Sequence, residues 1–287
     1  MHSIFKLFPL IISGVLFGTG TQFLTIPSNG LELAVGASAI QKNGNNPAAV
    51  FARGPGPVMN ISHGSWLADS RISAIKISFP GQKMSYGLDL KYVELDDLEL
   101  RSARPTDDPL SFYSASGFAL GGSFSRAWLS MEMGAALRYI RIDLYSENSS
   151  GFAVDFGLTK IVSPKFKVGA AVLNAGQMSV LKSEIPQLPL RVIITSSLMF
   201  ATNQIMNDVA LTGEWSSLVN GNSLHVSSVS QWKNFAFRLG SKLSREVVEI
   251  SGGVGLQFGK YGLNYGARFG SQDLGFPQMI DLSIQLP

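Results

Sequence analysis

The sequence predicts an all-β fold, a transmembrane antiparallel β-barrel of about 14 strands with an N-terminal plug segment. Three observations carry that expectation. Apolar residues take every second place over long stretches, as in "KMSYGLDLKY" at 83–92. Successive strand side chains point to opposite faces, so Met84, Tyr86, Leu88, Leu90 and Tyr92 form one face and Ser85, Gly87, Asp89 and Lys91 the other. The alternating runs are mostly about 9–13 residues long, enough to cross a bilayer at a tilt; strands of soluble sandwiches average about five or six. Connections alternate between short turns, such as 80–83 and 233–234, and longer loops, such as 95–112 and 174–187. Short turns on one side and long loops on the other mark the outer-membrane type of barrel.

The elements follow in chain order. Residues 1–20 place Lys6 before an apolar run from Leu7 to Phe17, with the small residues Gly18 and Gly20 behind it. That is the pattern of a secretory signal peptide cut near Gly20, and the run is too short to span a bilayer. No later stretch supplies about eighteen consecutive apolar residues, so membrane crossing falls to strands. Residues 21–56 lack long alternation, are rich in Gly and Asn, and form the expected plug. Residues 57–287 form the barrel, with strands near 57–66, 69–80, 83–94, 113–128, 131–144, 151–162, 164–174, 189–201, 206–216, 223–232, 234–242, 247–259, 261–270 and 277–286.

The apolar series faces lipid and the opposite series the lumen. The lumen series is small-residue-rich, with isolated charges at Asp89, Lys91, Arg138, Asp155 and Arg238. Small residues leave room and isolated charges require partners, which is why an inner segment is expected. Trp and Tyr near strand ends, among them Trp66, Trp128, Tyr145, Trp215, Trp232 and Tyr261, read as interfacial girdles. Arg126 falls in the apolar series of its strand, which places it near an interface.

Composition removes several kinds of chemistry. The net charge of +3 is spread without a basic run, which argues against nucleic-acid binding. With no cysteine there is no disulfide framework, thiol nucleophile or thiolate metal site. The histidines are His2, His63 and His225, and none sits at zinc-ligand spacing. No Gly-x-Ser-x-Gly elbow is present to partner a histidine in hydrolysis. "GGVGLQFG" at 252–259 lies within an alternating strand, so Gly252, Gly253 and Gly255 read as lumen space-makers rather than a phosphate loop. Neither catalysis nor a cofactor is expected.

The order of several short motifs resembles that of the FadL-like barrels, above all their smaller PorV/PorQ-type relatives. Phe23 and Leu24 are followed by Gly36-Ala37 and then by Asn46, Pro47 and Ala48. "SWLADSR" with Trp66, "VDFG" at 154–157, "VLNAG" at 172–176, "LPLR" at 188–191 and "FRLGSK" at 237–242 extend the resemblance along the chain. It implies a fourteen-stranded barrel in outer-membrane lipid, with a plug built on Phe23, Leu24, Asn46, Pro47 and Ala48. On the PorV/PorQ side it implies a component or cargo shuttle of type IX-like protein secretion, with secretion-complex proteins and exported cargo as partners. On the FadL side it implies uptake of long-chain fatty acids or other hydrophobic molecules, with a hydrophobic ligand in the lumen. The modest loops favour the PorV/PorQ side. In FadL-like barrels the third strand carries a kink that opens the wall, and Gly87 is the residue that would ease one here.

Overall fold

The computed structural model describes residues 20–42, 44–50, 56–101, 108–217, 222–245, 247–270 and 275–287. The predicted signal peptide, apart from Gly20, lies outside them, as do residues 51–55.

Fourteen strands close into one antiparallel ring. They are β1 (Val58–Ser65), β2 (Arg71–Phe79), β3 (Met84–Leu100), β4 (Ser111–Trp128), β5 (Met131–Leu144), β6 (Glu147–Ser163) and β7 (Phe166–Met178). β8 (Arg191–Thr202), β9 (Ile205–Ser216), β10 (Asn222–Trp232), β11 (Phe235–Leu243), β12 (Val248–Phe258), β13 (Tyr261–Gly270) and β14 (Gln278–Gln285) complete it. Each strand pairs with its sequence neighbours, and β1 closes on β14 from Val58 opposite Gln285 to Ser65 opposite Gln278. Closure leaves no free edge to satisfy in lipid.

One rim is made of tight turns. Leu129 and Ser130 adopt positive φ, as do Asn203, Lys233 and Gly259, which matches hairpin turns that follow the strand twist. The opposite rim carries the longer connections, with the exception of a tight turn at Tyr145 (φ 56). Outside, the alternation leaves an apolar belt: Tyr86, Leu88, Phe124, Leu137, Phe156, Leu198, Phe237 and Leu239 are exposed, as lipid-facing side chains are. No helix among the described residues is long and apolar enough to cross a membrane.

Several expected features shift. Much of the stretch expected as loop at 95–112 is strand, because β3 runs to Leu100 and β4 starts at Ser111. A bulge between Leu95 and Leu98, with Asp97 at φ 57, resets the register there. The four strands β3 to β6 are 17, 18, 14 and 17 residues long. About ten residues suffice to cross a bilayer, so this side of the wall stands above the rest as a blade. Gly252 points outward between Ile250 and Val254, while Gly253 and Gly255 face inward, where added Cβ atoms would lie 2.7 Å from Ala34 Cβ and from the Arg238 guanidinium. Trp66 leaves the girdle and turns inward to pack on the interior apolar cluster.

Residues 20–42 and 44–50 run inside the ring. A 3-10 turn (Thr21–Thr25) comes first, then a short helix α1 (Gly30–Val35), then a second 3-10 turn (Pro47–Val50). Asn29 caps α1 by accepting from Glu32 N at 2.7 Å, and the Glu32 carboxylate accepts from Ser28 N at 2.9 Å, a variant of the capping box. Gly36 ends the helix at φ 79. Contacts run from α1 to β10–β14 and from the second turn to β3–β6, so the segment spans the lumen from wall to wall.

Candidate functional site in the barrel lumen

The inner segment is fastened mostly through its backbone. Gly30 N donates to Asp281 Oδ1 at 2.5 Å, Ser251 Oγ to Ala34 O at 2.8 Å, and Ala39 N to Thr195 Oγ1 at 2.8 Å. Lys76 donates to Gly44 O at 2.6 Å, and Lys91 to the Ile26 carbonyl. Glycines on the wall make room for it. A Cβ on Gly157 would lie 1.6 Å from Asn46 Oδ1, and one on Gly134 2.5 Å from Ala48 N. Asn46, buried, donates to the Ala39 carbonyl and accepts from Ala48 N at 2.9 Å, which closes the turn on Pro47. Phe23 is fully buried, and its ring occupies the space a Gly117 Cβ would need.

Three of the lumen charges singled out in the sequence meet. Arg138 lies 3.5 Å from Asp89 and 3.1 Å from Asp155, and its Nη1 donates to Asn174 Oδ1 at 3.2 Å. Asn174 N donates to Asp155 Oδ1 at 2.6 Å, and its amide donates to Pro189 O at 3.0 Å. Asn174 of "VLNAG" and Pro189 of "LPLR" thus seal the point where β7 stops pairing with β8, beyond Leu173 opposite Arg191. Lys91 borders, with Asp89 and Arg138, a small central cavity of about 50 Å³. Arg238 stands apart on the other wall and donates to Asn264 Oδ1 at 2.9 Å. Gly87 is paired with Ser78 on one side and Ser123 on the other, and the ladders run unbroken through it.

The long-loop mouth is divided in two. On the side of β2–β7, Phe23, Leu24 and Ile26 pack with Ile72, Val93, Ile140, Ile142, Met178 and Leu188 in one buried apolar cluster. On the side of β8–β13 lies a charged cavity of about 250 Å³. There Arg191 Nε donates to Glu214 Oε1 at 2.6 Å, His225 Nε2 lies 2.9 Å from Glu214 Oε2, and Glu249 is shared by Lys242 (3.8 Å) and Arg268 (3.3 Å). Trp66 joins the halves: it packs on the apolar cluster and carries the Arg268 guanidinium 5.4 Å over its ring. Ser223 Oγ is also 3.2 Å from His225 Nε2. Serine and carboxylate therefore share one ring nitrogen, whereas a hydrolytic triad needs them on opposite nitrogens.

Sequence reasoning missed Arg191, Glu214, His225, Glu249, Arg268 and Asp281. The signal was available at Asp281, which sits between outward Ile280 and Leu282. His63, by contrast, faces outward, 3.0 Å from Ser73 Oγ. Arg126 is outward and exposed two residues from Trp128, at the short-turn rim. Among the described residues no cluster of His, Asp and Glu could hold a metal ion.

A closed ring with an apolar belt and a polar lining defines a transmembrane β-barrel. No protein-family model matches the sequence, and no curated protein matches it. Solved structures do match. The toluene transporter TbuX of Ralstonia pickettii is 12% identical, with a TM-score of 0.64 over 91% of this chain and 98% of TbuX. The toluene transporter TodX of Pseudomonas putida gives 10% identity and a TM-score of 0.62, over 90% of this chain and 97% of TodX. A FadL homologue from Pseudomonas aeruginosa gives 10% and 0.59, over 90% and 98%. At such identities the likeness is one of fold. The chain has the fold of FadL-like transporter barrels.

Proposed function

We propose that the chain is a bacterial outer-membrane barrel of the FadL-like type that carries small hydrophobic molecules. Residues 1–20 act as its signal peptide, 21–56 as its plug and 57–287 as its wall. The observation that carries this reading is the apolar half of the long-loop mouth, where Phe23 and Leu24 fill a cluster lined by Ile72, Val93, Ile140 and Met178. A hydrophobic ligand takes that place when Phe23 withdraws, and a polar head on it would meet the neighbouring charges. Toluene transport by barrels of this fold supports the same direction. Gly87 is our candidate for the exit, because an apolar groove of about 570 Å³ with Tyr86, Leu88, Gly122 and Phe124 lies beside it on the outer face. No catalytic role or cofactor is part of this reading.

The test is uptake and binding. Protein purified in mild detergent should bind toluene or oleate. Phe23→Ala should bind it several-fold more tightly, about 1 kcal/mol, because the ligand no longer displaces an aromatic ring. A deletion strain should take up the compound more slowly. No binding by either form, with normal uptake after deletion, would remove the proposal.

A second reading, the PorV/PorQ-type role in protein secretion, has the motif order in its favour, and also the sealed ladder at Gly87 and the charged central cavity, which suit a partner-binding barrel. It requires loss of exported cargo in the deletion strain. Normal secretion there would dismiss it.

A further inference from the structure

The two rims differ in how their charges are met. Among the described residues, every ion pair lies in the long-loop half or at the centre of the lumen, from Arg71 with Glu94 to Arg268 with Glu249. At the short-turn rim, among the described residues, no lysine forms an ion pair with a carboxylate. Lys233 and Lys260 lie over the rings of Trp232 and Tyr261, at the girdle where phospholipid phosphates supply counter-charge.

Lys42, exposed, and Lys167, half-buried, have neither an aromatic ring nor the lipid girdle beside them. Lys167 belongs to the inward series of β7, with Gly169 and Ala171, and Lys42 sits on the inner segment. Both line a cavity of about 490 Å³ that opens at the short-turn mouth, with Ile40, Ala49, Ala127 and Ile161 as its inner apolar wall and Lys160 and Met131, of the outward series, at its edge. Headgroups surrounding the barrel lie outside the strand ring. The acidic residue on the cavity wall, Glu132, accepts from Thr159 Oγ1 at 2.8 Å and forms no ion pair with Lys42 or Lys167, so one carboxylate faces three lysines there. Lys165, exposed at the adjoining turn, adds to the same field.

We propose that the short-turn mouth is a docking seat for an acidic segment of a soluble protein in the compartment the short turns face. Unmet cations at the wall of a partly enclosed cavity draw an acidic chain in and orient it, and the apolar wall gives its side chains a place to rest. The seat is independent of the solute carried, since it lies at the opposite end of the lumen from Phe23 and Trp66.

The probe is a fluorescein-labelled polyglutamate peptide, titrated into the whole protein in neutral detergent so that no phospholipid competes. Saturable binding is expected, weakening steeply as salt rises from roughly 0.05 to 0.3 M. The double substitution Lys42→Gln with Lys167→Gln should weaken it about ten-fold. Lys233→Gln with Lys260→Gln should leave it unchanged. Both variants should keep wild-type heat-modifiable gel mobility, which shows the barrel is intact. Absence of saturable binding overturns the proposal, and so does equal loss in the girdle variant. A mouth variant that binds polyglutamate normally but associates less with phosphatidylglycerol vesicles overturns it too, since the mouth would then be a lipid site.

Discussion

Arg138 shows how much one lumen residue organises. Its guanidinium holds Asp89 and Asp155 from β3 and β6 and reaches Asn174 of β7, so one side chain ties together strands on both sides of β5. Removing a partner from a buried ion pair costs more than the pair contributes, because a lone charge is left behind. Arg138→Met strands two carboxylates and should cost about 3–5 kcal/mol. Asp155→Asn leaves Arg138 balanced by Asp89 and should cost only about 1 kcal/mol. Urea unfolding of liposome-inserted protein, followed by tryptophan fluorescence, checks the difference; equal losses would show that Arg138 does not organise the group. Asp89, Arg138 and Asp155 were legible as inward charges because each interrupts a series of small residues. That they meet one another was not, since alternation gives the face of a residue and says nothing of its height on the wall. Glu214, His225 and Arg268 carried the same signal as Asp281, His225 between outward Leu224 and Val226, Glu214 beside outward Trp215 and Arg268 beside outward Phe269, and what the alternation withheld was again their height, which brings them to one mouth.

At the scale of the element, the inner segment depends on the glycines it lies against. Gly157→Val would put a branched side chain where Asn46 Oδ1 now sits, and the conflict is with a buried amide rather than a flexible tip. The turn at Asn46, Pro47 and Ala48 should be expelled while the strand ladder of β6 survives. Limited proteolysis should then cut within 36–50 much faster than in the wild type, with unchanged heat-modifiable mobility. If cutting does not speed up, Asn46 is not what holds the turn. The segment's existence was readable from its lack of alternation and its place before the first strand. Its path was not, because backbone carbonyls make many of its bonds and carry no sequence signature. β5 was read with the bounds it has, whereas the ends of β3 and β6 beyond the belt, at 95–100 and 147–150, were read as loop for a physical reason: beyond the bilayer no face has to be apolar, so the alternation fades while the strand continues.

For the whole molecule, the strand number and the alternation of turn and loop were legible because lipid imposes them: each crossing requires an apolar face of a set length. The register at which β1 meets β14, Val58 opposite Gln285, was not, since alternation alone does not say how far one strand slides along the other. A lumen crossed by its own N-terminal segment should conduct poorly. Deleting residues 21–48, with the signal peptide retained, should raise single-channel conductance in planar bilayers several-fold over the nearly closed wild type. Equal conductance would show that the segment does not obstruct the lumen.

Asp281 has one more consequence. It lies on β14, the strand that completes the ring, and it accepts the hydrogen bond from Gly30 N at the start of α1, 251 residues earlier in the chain. A contact of such separation carries a large loop-closure cost, which the rest of the ring must offset. β14 thus does two things at once: it shuts the seam against β1 and ties the inner segment down. Closing the ring and holding its filling fall to one strand, so a change that loosens β14 should loosen both together.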